Sequence, residues 1–289
     1  MERFSTVWIR APLALLFGVV VWQAATLPVT AAEATTWDRV VRPALREIFT
    51  APGAWSGWVY GFAARRAAGL FRLSEWSLRA PSLVGCLLYY FAIYRLFGRK
   101  IWILLLLAGA APFVPCFHLA GGSGLSAGLS AAALAYPEWA GMWLGLALAA
   151  APQIGFVPLM VAIALVVHLG CWRGTDRVVI PMVAIGFVLL IVPASHGGAP
   201  IPQPGVPGER DSAVRSAVIF LRGEAGKAPV RISGSPAVLC VLEFYRARFR
   251  EPQWTIATNS PQYRISVSPD PPPPPDRIVW QRSGVFVAH

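Results

Sequence analysis

Long apolar runs separated by short polar breaks fill the first two-thirds of the chain, and shorter mixed segments fill the rest. Ala11 to Val29 is apolar over a length that can cross hydrocarbon as a helix. Val29-Thr30-Ala31-Ala32 also offers the small residues of a signal-peptide cleavage site, but the later apolar segments favour an uncleaved first helix. Further spans are predicted at about 82–97, 101–119, 125–136, 139–152, 154–169 and 178–194. Pro81 suits the first turn of the helix over 82–97, where its missing N–H is not needed. The run 139–169 is either one long kinked helix or a hairpin turning at Pro152-Gln153. A hairpin puts Arg173 and Arg177 on the same side as Arg95, Arg99 and Lys100, as the positive-inside rule prefers.

The polar stretch 33–80 carries its own helical pattern. Trp37, Val40, Val41, Leu45, Ile48 and Phe49 recur at helical spacing, as do Trp55, Trp58, Val59 and Phe62 after a break at Ala51-Pro52-Gly53. Trp-rich helices with Arg on the other face predict interfacial helices lying on a membrane, or a plain juxtamembrane pair without chemistry. Residues 196–208 form a Pro/Gly linker. Beyond it a small soluble α/β domain is predicted over 209–289. Val214, Ala217, Val218 and Leu221 mark one helix, Ala237–Phe249 a second, and 230–232, 264–267, 278–280 and 285–287 read as strands, the last two as a terminal hairpin.

Composition supports the membrane class, because 56% hydrophobic with only 13% charged residues is too apolar for an ordinary soluble domain. The net charge of +11 is spread through loops, so no basic stripe offers a nucleic-acid face. Membrane lipid headgroups or a lipid-linked phosphate suit it better. Cys86, Cys116, Cys171 and Cys240 form no CxxC pair and read as unpaired small hydrophobes, and the four histidines are scattered singly, so no metal site is predicted.

Leu70, Phe71, Ser74, Glu75, Leu78, Arg79, Pro81 and Ser82, followed by a hydrophobic helix ending in Arg95, Leu96, Phe97 and Gly98, make up the chain's most specific pattern. It resembles the segment leading into the second membrane helix of C-type glycosyltransferases, the group that includes protein O-mannosyltransferases and lipid A aminoarabinose transferases. The resemblance implies a polytopic α-helical protein of the bacterial inner membrane with a small extracytoplasmic C-terminal domain. Such a protein would transfer a sugar from a polyprenyl-phosphate donor to an envelope acceptor on the outer face. It implies an acidic catalytic residue in the first outer loop, acting as general base or orienting the acceptor. Asp38 matches best and Glu33 is the alternative. Arg39, Arg42, Arg46, Arg65 and Arg66 become candidates for the donor phosphate, while Glu75, Arg79 and Pro81 fix how the loop joins the second helix. Glu75 and Arg79 are four apart, a spacing that suggests a mutual ion pair. No cofactor is implied, and two carboxylates are too few to argue for a metal.

Several positions depart from the family pattern. Arg39 follows Asp38 where an acidic pair is common, Trp55–Tyr60 replaces a His-Pro-Pro-Leu-Tyr run, and Ala120–Leu125 lacks an Arg and a Tyr. A catalytically silent relative, serving as a membrane scaffold or partner subunit, is therefore the alternative. Without chemistry, Asp38 is a helix N-terminal charge offsetting the dipole. A transporter component is a weaker third reading, because no intramembrane acidic pair or charged pathway is present.

Overall fold

The structure, a computed structural model, describes residues 2–43, 57–98, 100–113, 115–151, 209–226, 228–251, 253–256, 261–267, 278–282 and 285–288. Helix α1 (Glu2–Thr26) ends just before Pro28, and the chain turns by 79° into α2 (Ala31–Thr36). Thr30 and Glu33 start α2 as a reciprocal capping box, each side chain accepting the other's backbone N–H. Residues Trp37–Val41 continue as a π-helical turn, closed by the Arg42 N–H on the Trp37 carbonyl at 2.8 Å. Helix α3 (Trp58–Phe71) starts at Gly57, whose φ of +87° suits glycine.

Helix α3 stops at Arg72, which holds φ 64° and ψ 161°, a region that a Cβ makes costly. Arg72→Gly is expected to raise stability by about 1 kcal/mol, once strain relief is set against glycine's extra unfolded entropy. Arg72→Ala keeps the Cβ and should leave the melting midpoint unchanged. Equal midpoints for the two variants would remove the strain argument.

Helix α4 (Glu75–Phe97) runs for 23 residues or about 35 Å. Ser74 caps it and Ser77 returns the bond, so the helix begins well before Pro81. The expected start near Pro81 is thereby corrected: the serine pair nucleates earlier, and Pro81 lies buried inside the helix. After it come α5 (Ile101–Ala110), a 3₁₀ turn at Ala111–Phe113, and α6 (Pro115–His118). Then follow α7 (Gly122–Ala135) and α8 (Ala140–Ala150). Helices α4 and α7 meet backbone to backbone. A Cβ at Gly85 would lie 2.2 Å from the Gly124 carbonyl oxygen, and one at Gly128 would lie 2.0 Å from that of Gly85. The glycines of this small-xxx-small stripe are what allow the approach.

The C-terminal part builds α9 (Glu209–Ala225), β1 (Val230–Gly234), α10 (Pro236–Phe249), β2 (Trp254–Ile256), β3 (Tyr263–Val267), β4 (Ile278–Arg282) and β5 (Val285–Ala288). Strand order is β2-β1-β3-β5-β4. The first three strands are parallel, and β5 joins β3 and β4 antiparallel. Val214, Ala217, Val218 and Leu221 of α9 are all buried, as their spacing predicts. A single apolar core runs from this sheet and its helices into the first polar segment, joining Phe244, Tyr245 and Val287 to Trp37, Val41, Tyr60 and Leu78.

The expected polytopic membrane fold is not what these residues form. Among them only α4 is by itself long and apolar enough to cross a membrane, and the bent pair Ala11–Thr26 with Ala31–Val41 raises the number to two at most. The reason lies in the breaks. Pro112 and Pro115 end α5 after 10 residues, and the Gly-rich turn and Pro137 confine α7 to 14, both far short of the roughly 30 Å of hydrocarbon. Helix α8 has 11 residues. The expected spans 154–169 and 178–194 and the linker 196–208 lie outside the described residues. The interfacial helices expected in 33–80 are also corrected in part, because Trp37, Val40 and Val41 are buried and Trp37 meets Phe244 of α10 edge-on at 5.7 Å. Residues 44–56 of that stretch lie outside the described residues.

Candidate functional site

Glu33 and Arg79 form a fully buried ion pair, with both side chains at 0% exposure. The α2 capping box places Glu33, and the second turn of α4 places Arg79. Arg79 Nε donates to Glu33 Oε1 at 2.7 Å and Nη2 donates to Oε2 at 2.7 Å, a two-point contact. Nη1 donates to the carbonyls of Ala24 at 3.0 Å and Leu27 at 2.8 Å, and Nη2 to that of Pro28 at 2.8 Å. All five guanidinium N–H groups are thus used. Glu33 in turn accepts the N–H of Thr30 at 2.8 Å and that of Ala120 at 2.6 Å. Its two oxygens therefore carry four bonds, and the pair as a whole ties the end of α1, α2, α4 and the turn before α7 to one point.

Tyr60 lies beside this pair and donates to the Leu78 carbonyl at 2.7 Å. Burial first, and then the charge of Glu33, hold its phenol well above the usual tyrosine range. Ser82 Oγ donates to the Gly121 carbonyl at 3.0 Å, a second tie between α4 and the turn before α7.

Glu75, one turn before Arg79 on α4, faces the C-terminal domain. It takes a close hydrogen bond from Arg248 Nη1, accepts the Tyr245 hydroxyl at 3.3 Å, and has Arg215 Nε at 3.9 Å. The two motif residues therefore do not turn to each other: Arg79 goes to Glu33 and Glu75 to Arg248. Tyr245 is pushed up by burial first and by Glu75 next. Glu75→Ala is expected to leave Arg248 and Tyr245 half-satisfied at a buried junction and to loosen the C-terminal domain by about 2 kcal/mol. Hydrogen exchange should speed up in α9 and α10 while α7 stays protected; unchanged exchange in α10 would contradict the docking role.

The remaining candidates are dispersed. Asp38 is in an i,i+4 pair with Arg42 at 2.9 Å, with side chains 42% and 53% exposed. Arg39 is exposed. Arg65 Nε donates to the Val41 carbonyl at 2.9 Å, and its Nη2 to that of Pro43, closing the end of the π-helical turn. Arg66 is exposed and sits 5.1 Å over the Phe62 ring. Arg46 lies outside the described residues. Arg42 also borders a cavity of about 450 Å³ together with Trp37, Arg246, Arg250, Glu243 and Glu251. Arg246 there pairs with Glu243 at 3.0 Å, and Glu251 takes Arg222 from outside the lining at 2.9 Å. Among the described residues no group of three or more His, Cys, Asp or Glu is placed to hold a metal.

The Glu33 partnership with Arg79 was not foreseen from the sequence, although Thr30-x-x-Glu33 is a legible capping box that fixes Glu33 at the start of a helix. The contact of Tyr245 and Arg248 with Glu75 had no signal in the sequence. In comparisons with known protein families, characterised proteins and solved structures, the chain matches none.

Proposed function

We propose that this chain is a membrane-anchored scaffold or partner subunit, in which α1 and α4 hold the C-terminal α/β domain at a membrane face. The observation that carries this reading is the saturation of Glu33. A general base needs a free lone pair directed at an incoming hydroxyl, and the Glu33 oxygens are already engaged by Arg79, Thr30 and Ala120. Glu75 is likewise engaged, by Arg248 and Tyr245. Arg65 spends its donors on backbone carbonyls and not on an open face. Exposed apolar side chains on α1, α4 and α5, among them Leu15, Trp22, Phe91, Trp102 and Leu106, support the anchoring half of the reading.

A sugar transferase using a polyprenyl-phosphate donor is the second reading. What favours it is Asp38, which stays half-exposed beside Arg42 at the edge of an arginine-bordered cavity. Release of polyprenyl phosphate from sugar-loaded carriers, measured with purified protein in lipid, separates the two. The scaffold reading expects no release above protein-free vesicles, with Asp38→Asn melting together with the wild type. Release that disappears in Asp38→Asn would overturn it.

A further inference from the structure

At the opposite end of α4 from the Glu33–Arg79 pair lies a cavity of about 690 Å³, within the roughly 300–1,000 Å³ of ordinary small-molecule sites. Leu13, Ala14 and Phe17 of α1 form one wall, and Leu87 and Phe91 of α4 form the other. Tyr94, Arg95 and Tyr136 close one end. Arg95 is held there by the Tyr136 ring, 4.3 Å from its centroid. From Leu87 to Arg95 the α4 axis covers about 12 Å, so the space is a groove with an apolar floor and a cation at one end.

We infer that this groove binds one chain of an anionic lipid, with the phosphate against Arg95. Charge selects the head group. From Trp76 to Pro137 the chain has no Asp or Glu, while Arg95 stands in the last turn of α4 and Lys100 at the start of α5. The nearest carboxylate along the chain from Tyr136 is Glu138, which is exposed. Apolar surroundings select the tail. Leu15, Val84 and Leu96, all exposed, lie on the same two helices and continue an apolar surface that hydrocarbon would cover. Helix α4 has spanning length, so Arg95 near its end stands at headgroup depth when the apolar stretch crosses a bilayer. The groove then runs along the lipid axis, tail toward Leu87 and phosphate toward Arg95.

The test uses the full chain in a neutral detergent, titrated with 1-oleoyl lysophosphatidic acid and with 1-oleoyl lysophosphatidylcholine and read by native mass spectrometry. Saturable one-to-one binding is expected, at least about tenfold tighter for the phosphatidic probe, in line with a charge-assisted contact. Arg95→Gln should bring the two probes within about twofold, the loss expected when that contact goes. Ala14→Trp keeps the charge and fills the groove, and should remove binding of both. Ala14 is exposed, so this substitution spares the core, and Leu87→Trp offers the same block from the other wall. Equal affinity for both probes, discrimination that survives Arg95→Gln, or binding that survives both tryptophan variants would each overturn the inference. Self-association that Ala14→Trp abolishes, with no lipid bound, would overturn it and assign the groove to a second copy of the chain.

Discussion

Arg79→Met is expected to destabilise the protein by about 3–5 kcal/mol, the range found when one partner of a buried ion pair is removed. The cost arises because Glu33 stays at zero exposure with its charge and loses two of its four bonds, while the carbonyls of Ala24, Leu27 and Pro28 lose their donors. An ordinary buried pair can often be replaced on both sides by apolar residues with little net loss. This one should not be. In Glu33→Leu/Arg79→Met the charge problem disappears, but three carbonyls and the N–H groups of Thr30 and Ala120 remain without partners. The double variant should therefore melt close to the single one. Recovery to near wild-type stability would mean that the pair acts only through charge and that the backbone ties contribute little.

Gly85→Ala is the second large effect. A single added carbon would sit 2.2 Å from the Gly124 carbonyl oxygen, a backbone atom that can move only if α4 and α7 separate. Overpacking typically costs 1–3 kcal/mol, and a backbone-on-backbone clash belongs at about 3 kcal/mol. Gly18→Ala makes the control. Gly18 also lies inside a helix, but a Cβ there meets nothing within 4 Å, so the higher helix propensity of alanine should stabilise by roughly 0.5–1 kcal/mol. Thermal melts of the two variants should move in opposite directions. Parallel shifts would show that the helices are not in the close contact described.

These two sites also show how far the sequence could be read. The Gly124-x-x-x-Gly128 spacing is visible in the sequence, but the expected span 125–136 leaves Gly124 outside the helix that holds Gly128, and Gly85 lies thirty-nine residues before Gly124. Helix α4 was legible from its hydrophobicity, whereas its true start depended on Ser74 and Ser77. The apolar runs after it were legible too, but a run counted through Pro112 and Pro115 is not a helix of that length. In the C-terminal part, the alternation around 278–287 was enough for a hairpin, and both helices fell near their predicted ranges. Strand β2, three residues long, left no periodic signal. The candidate carboxylates were harder. Spacing alone joins Glu75 to Arg79, and only the fold brings Glu33 and Arg248 close enough to compete.

The Glu33–Arg79 pair also orders the assembly of the chain in time. Its hydrogen bonds close loops of 46 residues to Arg79 and 87 residues to Ala120. Lengthening a loop by that factor adds only about 0.6 kcal/mol of closure entropy, so distance along the chain is not the obstacle. Dehydration is. A carboxylate cannot leave water until its partners wait for it, so α4 must be formed and α7 docked before α2 can settle. The C-terminal domain packs on α2 in turn, and so α2 settles after two helices that follow it in the chain.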